Sequence, residues 1–436
     1  MAPELIGVAS VAAIVLLVFL RVPVAISMGI VGTVGYAIVD DWSAALNRLA
    51  ATPFELSEAY SLSVVPLFLL MGAVASSSGM SQELFRAANA VFAGRRGTVA
   101  MAAVGACAAF GAICGSSLAT AATMSRIAIP EMRRLGYDER LAAGAVASGG
   151  TLGILIPPSV ILILYAIIAQ ASVAQLFAAG LIPGLVLTLL HVVVIGVLVA
   201  VRPELAPAAP PRELTWSQRL RDVAAMWQVV ALFVVAVGGI YAGLFSPTEA
   251  AAVGAACAIA LGFATRKIDV RRLLAALSET VRTTAVLFII VVMAFVYSYF
   301  LVLTNLPQSL VAFVQAAEWS PLAVMLTLIL FYLVLGCFLD ALGMILVTVP
   351  VFLPLVLDLG YSPIWFGILL VLVVEIGLIT PPVGMNLFVI KAQQPDIAIG
   401  TLYRGVLPFL SAGIALIALL LLFPALALWL PGRLFG

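Results

Sequence analysis

Charge is what this sequence has least of. Asp, Glu, Lys and Arg make up 9% of its 436 residues, where a soluble protein carries about 25%. With 64% hydrophobic residues and a mean hydropathy of +1.24, a soluble fold is excluded. A net charge of +1 gives no basic field for nucleic acid. Cysteine is scarce: Cys107, Cys114, Cys257 and Cys337 lie in apolar segments without metal-ligand spacing and read as packing residues. The only histidine, His191, stands alone in an apolar run and reads as a core or interface residue. There is no Gly-Lys-Ser/Thr phosphate loop and no His-Glu-x-x-His, and nothing supports a Ser/His/Asp triad. ATP hydrolysis and the commoner hydrolytic chemistries therefore have no residues to run on, and no enzyme is expected. Met1-Ala2-Pro3-Glu4 lacks the basic n-region of a cleavable signal, so the first helix is expected to be retained.

What is present is a series of apolar runs long enough to cross a bilayer, which takes about 17–25 residues. They predict an all-α polytopic membrane protein with helices near 4–20, 22–39, 60–79, 174–201, 224–245, 247–264, 283–304 and 405–430. Residues 80–94 and 305–319 read as surface segments. Residues 202–222, with Pro203, Pro207, Pro210, Pro211, Arg202, Arg212, Arg219 and Arg221, read as a linker with nothing apolar enough to insert.

Four runs are interrupted. Run 97–132 breaks at Cys114-Gly115-Ser116-Ser117-Leu118-Ala119-Thr120, and run 320–357 at Leu335-Gly336-Cys337-Phe338-Leu339-Asp340-Ala341-Leu342-Gly343. Half-length helices around a small or polar tip predict two re-entrant hairpins. Run 138–171 carries Gly149-Gly150-Thr151-Leu152-Gly153-Ile154-Leu155-Ile156-Pro157-Pro158-Ser159, and run 361–391 carries Gly377-Leu378-Ile379-Thr380-Pro381-Pro382-Val383-Gly384-Met385-Asn386. Proline removes a backbone donor and clashes with the preceding turn, so both helices are expected to unwind near mid-membrane. Backbone groups freed in lipid cost several kcal/mol each unless protein, an ion or a water-filled cavity satisfies them. Paired broken helices in two halves are a sequence pointer to a transporter binding site.

The halves superpose at an offset of 224 residues (360 less 136): Gly136 on Gly360, Gly153 on Gly377, Pro157-Pro158 on Pro381-Pro382, Pro130 on Pro354, Pro23 on Pro247 and Ser116 on Asp340. The chain reads as a duplication. Placing Arg95, Arg96, Arg133, Arg134 and Arg140 in the cytoplasm also puts Arg21, the linker, Arg266, Lys267, Arg271, Arg272, Arg282, Lys391 and Arg404 there, and leaves Arg48 and Arg433 outside. Both termini then face away from the cytoplasm. The base of the second hairpin, between Glu318 and Asp358, has no Lys or Arg and faces out, so the repeats are inverted.

Asp340 is the most costly residue to place, at roughly 2.5–3.5 kcal/mol on insertion scales. A carboxylate beside Gly343 and other unwound backbone suits a hard cation such as Na+; it equally suits a helix cap. Gly377, Thr380 and Val383 would complete that second site. Ser116, Ser117 and Thr120 form the matching first tip, leaning on carbonyls of Gly149, Gly150 and Thr151, or else simply allow close packing. Helix N-termini at Pro158-Ser159 and Pro382 would present N–H groups to a carboxylate, and Asn386 would hydrogen-bond substrate or bridge helices. Glu375 reads as an ion-linked or a structural carboxyl group. Arg126 either snorkels toward the cytoplasm or meets substrate.

Three runs, Gly115-Ser116-Ser117-Leu118-Ala119-Thr120, Ser246-Pro247-Thr248-Glu249-Ala250-Ala251-Ala252-Val253 and Gly377 to Asn386, resemble the large membrane (M) subunit of tripartite ATP-independent periplasmic (TRAP) transporters across essentially the whole chain. The resemblance implies an inverted-repeat, elevator-type importer of the bacterial inner membrane, driven by Na+ as coupling ion. It implies a small four-helix (Q) membrane subunit, expected as a separate chain, and a periplasmic substrate-binding (P) protein that delivers a small anionic organic acid. It also implies ion ligation by Ser116, Ser117, Gly149, Gly150, Asp340, Gly377 and Thr380. On this view residues 97–171 and 320–391 form the transport domain, and 1–96, 172–319 and 392–436 the scaffold. A self-sufficient Na+/carboxylate symporter is the competing transporter reading. An intramembrane scaffold or enzyme, and a channel, are the readings from other classes.

Overall fold

The computed structural model describes residues 2–92, 96–207 and 215–436. Arg95, Pro210, Pro211 and Arg212, used above for orientation and the linker, lie outside the described residues. Among those described the chain is helical throughout, with no strand. The first half runs α1 (Pro3–Phe19), α2 (Val24–Val39), α3 (Trp42–Ser57), α4 (Val64–Ser77), α5 (Met80–Phe92), α6 (Thr98–Cys114), α7 (Ser117–Arg134), α8 (Glu139–Leu155), α9 (Val160–Ile168) and α10 (Val173–Val201). Then follow α11 (Trp216–Ala224) and α12 (Trp227–Phe233), which continues through a π turn, Val234–Gly238, into α13 (Gly239–Tyr241). The second half comprises α14 (Pro247–Ala264), α15 (Val270–Leu303), α16 (Leu306–Ala316), α17 (Pro321–Gly336), α18 (Ala341–Asp358), α19 (Pro363–Gly377), α20 (Met385–Gln393), α21 (Ile399–Leu422) and α22 (Ala425–Leu434).

Among the described residues, six helices are long and apolar enough to span a membrane, and up to eight spans result if each bent pair counts as one. The lipid-facing character is plain on α10, where Leu185, Leu189, Val193, Val197 and Val201 form an exposed stripe at a four-residue period. Four expectations need correction. Residues 42–57 form an unforeseen amphipathic helix, capped by Asp41 through Ala44 N–H. The helix expected from 283 starts at Val270, capped by Asp269, because its charged first turns extend beyond the apolar run. The linker is part helix: α11 packs on α5. The last apolar run is two helices, α21 and α22, parted at Phe423-Pro424.

The duplication is visible locally. Gly136 and Gly360 each end the returning arm of a hairpin at φ +81, a left-handed conformation that glycine adopts without strain. Both Pro157-Pro158 and Pro381-Pro382 are cis. Around the hairpins, α15 packs on α2 and α4, and α14 on α4. The α2–α15 contact is close because Gly32 leaves room for the Tyr297 backbone, where a Cβ would fall 2.9 Å from its Cα. The run Ser246-Pro247-Thr248-Glu249 is a capping box: Ser246 Oγ accepts from Glu249 N–H, and the Glu249 carboxylate accepts from Ser246 N–H at 2.8 Å.

Candidate functional site

The first hairpin turns at Gly115-Ser116 between α6 and α7, both of which pack on α8. Ser116 is the N-cap of α7, its Oγ accepting from Ala119 N–H at 3.3 Å. Gly115, at φ +64, sits so close to the first break that a Cβ would be 2.8 Å from Pro158 O. The break itself is short: α8 stays helical to Leu155, and α9 starts after Pro157-Pro158-Ser159 at an angle of 43°. Ser159 caps α9 through Leu162 N–H.

Gly149, Gly150 and Thr151 are therefore not unwound. They lie inside α8, and their carbonyls belong to its helical ladder. The reason is packing: a Cβ on Gly149 would meet Cys107 Sγ at 3.0 Å, and one on Gly150 would meet Ala121 Cβ at 3.0 Å. These glycines let α8 wedge between the two hairpin arms. Thr151 Oγ1 donates to Ser148 O at 2.6 Å instead of facing the tip. Of the glycines in this run, Gly153 is the one beside the tip, where a Cβ would lie 3.2 Å from Ser116 O and 2.8 Å from Thr120 Oγ1.

The second hairpin repeats the design with an acid at the tip. Asp340 is the N-cap of α18, its carboxylate accepting from Gly343 N–H at 3.2 Å. The cap reading is thus observed, and a carboxylate retains further acceptor positions. Gly336 and Gly377 bring α17 against α19 nearly backbone to backbone. The Cys337 thiol, at the tip, lies 3.3 Å from Leu333 O in its own helix and 3.5 Å from Pro381 O in the second break, so the second tip touches its break. Thr380 Oγ1 donates to Ile376 O at 2.6 Å. The break is closed by Asn386 N–H donating to Leu378 O at 3.1 Å, and by Tyr403 Oη on α21, which donates to the Pro382 carbonyl and lies 3.1 Å from Val383 O.

The two tips meet across one cavity of 210 Å³, lined by Ser116, Ser117, Asp340, Ala341, Leu378 and Met385, with Leu69 and Thr283 opposite, on α4 and α15. A second cavity of 320 Å³ shares Ser116, Leu69 and Thr283 and is more polar, with Thr123, Arg126 and Glu279 in its wall. Pro158, Ser159 and Asn386 do not line the first cavity; Ser159 and Asn386 are fully buried. Tyr403, Thr283 and Glu279 were not singled out from the sequence, since each reaches the site from an element that its own neighbours do not connect to it; Cys337 lies in the expected tip, where the sequence reads it as a packing residue. Asp340, Ser116 and Ser117, which line one cavity, offer oxygen donors with one net negative charge, a set that fits a hard monovalent cation such as Na+, whereas Thr380 does not line it. Among the described residues, no group of three or more His, Cys, Asp or Glu forms a metal site of the transition-metal kind.

Residues 11–426 match the family described as tripartite ATP-independent periplasmic transporter, DctM component. The chain is 39% identical over 388 residues to the C4-dicarboxylate TRAP transporter large permease protein DctM of Pseudomonas aeruginosa, covering 88% of this chain and 90% of that one. It is 32% identical to the sialic acid TRAP transporter large permease protein SiaM of Vibrio cholerae, covering 86% and 87%. In fold it is similar to the YdaH transporter of Alcanivorax borkumensis, with a TM-score of 0.62 at 16% identity over 99% of both chains. This multi-pass chain belongs to the DctM family, the large permease component of tripartite ATP-independent periplasmic transporters.

Proposed function

We propose that this permease imports a small organic acid in symport with Na+, handed over by a periplasmic binding protein and assisted by a small four-helix membrane subunit. It would sit in the bacterial inner membrane with both termini periplasmic. Residues 97–171 and 320–391 would move as one body against the remaining helices, carrying substrate in the cavity between the tips. The observation that carries this reading is the shared cavity: Ser116 and Asp340, equivalent positions of two repeats, line one space whose opposite wall, Leu69 and Thr283, comes from helices outside the hairpins. Such a space, walled by two bodies, changes access when one slides past the other.

In this reading Na+ is held at the tips, by Ser116 and Ser117 on one side and by Asp340, Gly343, Gly377, Thr380 and Val383 on the other. When bound, it supplies the positive charge that lets an anion approach a carboxylate. The chain's own part is to fix the tips: Ser116 and Asp340 hold their helix starts, and Cys337 ties the second tip to its break. The names of the relatives place C4-dicarboxylate and sialic acid among the substrates of such permeases, and both are organic acids. The test is uptake by the purified chain in liposomes with the small subunit, an inward Na+ gradient, and the binding protein loaded with candidate acids. Uptake that needs both Na+ and the binding protein is expected. Uptake without the binding protein would replace this reading with the self-sufficient symporter, and uptake indifferent to Na+ would remove the coupling.

A further inference from the structure

Two polar side chains in the second broken helix have no use in the site described so far. Glu375, in the last turn of α19, is 2% exposed, and neither carboxylate oxygen has a hydrogen-bond partner. Its own helix gives it none, because Ile364 to Gly377 are all buried and all but Glu375 and Trp365 lack a polar side chain. Asn386, in the first turn of α20, is 0% exposed, and both ends of its amide lack a partner. Natural proteins leave few such groups unsatisfied, and each one calls for an explanation.

Glu375, and the helix that carries Asn386, both lie against the first hairpin. The Ser117 hydroxyl, 1% exposed, lies beside the Glu375 carboxyl group without meeting hydrogen-bond geometry. The helix that starts with Ser117, α7, is also the one on which α20 packs. That packing is pinned further along, where Gln394 Nε2 donates to Ser125 O at 3.1 Å. The Glu375 carboxylate, the Ser117 hydroxyl and the Asn386 amide carbonyl are hard oxygen donors on three different helices, each of them buried.

We infer that Glu375, Ser117 and Asn386 form a monovalent-cation site at the seam between the two halves, so that the ion at the first tip takes its counter-charge from the second repeat. The donor chemistry excludes an anion, since the only formal charge is negative. One carboxylate balances one monovalent charge, whereas a divalent ion would leave a net charge buried. The site also answers a problem set by α8: with the carbonyls of Gly149 to Thr151 held in the helix, the ligands expected of α8 at the first tip are missing. Glu375 fills the role at the first tip that Asp340 fills at the second, but from across the seam. Na+ binding there would close the first hairpin onto the second broken helix and lock the moving body together.

This inference rests on the sodium-coupled reading, and the experiment separates the two. Thermal unfolding of the purified chain in detergent is measured against NaCl, with choline chloride holding ionic strength. Absence of any Na+-dependent stabilisation in the wild-type chain would overturn the sodium reading and this site with it. If the wild type responds, Glu375→Gln, which keeps the volume and removes the charge, is expected to raise the half-saturating Na+ concentration at least tenfold. Adding Ser117→Ala to it should bring little further loss, whereas adding Asp340→Asn should compound it. A Na+ response in Glu375→Gln equal to the wild type overturns the site while leaving sodium coupling intact. If Glu375→Gln does not yield monodisperse protein, Asn386→Ala is titrated instead, with the same threshold and the same overturning result.

Discussion

Ser116 and Asp340, equivalent residues 224 positions apart, each cap the returning arm of a hairpin and face the same cavity. One is neutral and the other acidic. The duplicated scaffold therefore carries an asymmetric pair of tips, and the two should respond differently to substitution.

Asparagine caps helices as well as aspartate does. Asp340→Asn should leave the melting temperature near that of the wild type while raising the half-saturating Na+ for uptake at least tenfold, about 1.4 kcal/mol. Asp340→Ala should lose the cap as well, at about 1 kcal/mol. Paired unfolding and uptake assays on the two variants separate cap from ligand. Full Na+-dependent uptake in Asp340→Asn would sink the ligand assignment.

Gly153→Ala should destabilise the chain by ~1–3 kcal/mol, because the new methyl group meets Thr120 Oγ1, Gly111 Cα and Ser116 O in an already filled space. Gly400→Ala, with nothing within 4 Å of the added atom, should stay within about 0.5 kcal/mol. Equal unfolding midpoints for the two variants would contradict the packing account of α8.

Tyr403→Phe removes the hydroxyl that donates into the second break. The expected loss is roughly 0.5–1.5 kcal/mol. It should be accompanied by faster amide hydrogen exchange confined to residues 378–387. Unchanged exchange there would show that the break is held by other contacts.

Arg133 pairs with Glu139 at 2.7 Å and Asp396 at 2.5 Å, tying the base of the first hairpin to the loop after α20. A hydrogen bond from its own backbone N–H, and then Arg133, hold the Asp396 carboxyl below the usual carboxylate range. A lowered folded value stabilises above the unfolded pKa, near 3.9, and the contribution fades as pH falls through the folded value. Acid should therefore loosen this loop only below about pH 4, and Arg133→Ala should blunt that dependence. Limited proteolysis across pH reads it. Because Asp396 is exposed to solvent, the effect on global stability should be small.

The hairpins and breaks were legible because polar tips and proline pairs interrupt runs that are otherwise uniformly apolar, and the repeat was legible because glycine and proline keep their spacing. Helix α3 was not, since residues 42–57 mix polar and apolar residues and lie flat against their neighbours, carrying no long apolar signal. The role of Gly149 and Gly150 was misread for a related reason. Glycine in a membrane helix signals either freedom or smallness, and what decides between them here is Cys107 and Ala121 on other helices. The contact of Gln394 with Ser125 joins residues of different repeats, and no local pattern records it.

The bond from Gln394 to Ser125 spans 269 residues, and it sets an order of events during synthesis. At ribosomal speeds of about 5–20 residues per second, the first hairpin waits tens of seconds in the bilayer before the segment that secures it exists. Until then its polar tip must be sheltered by water, lipid headgroups or an insertion partner. The newborn first half is thus an unfinished half-site, and the last fifth of the chain is what completes it.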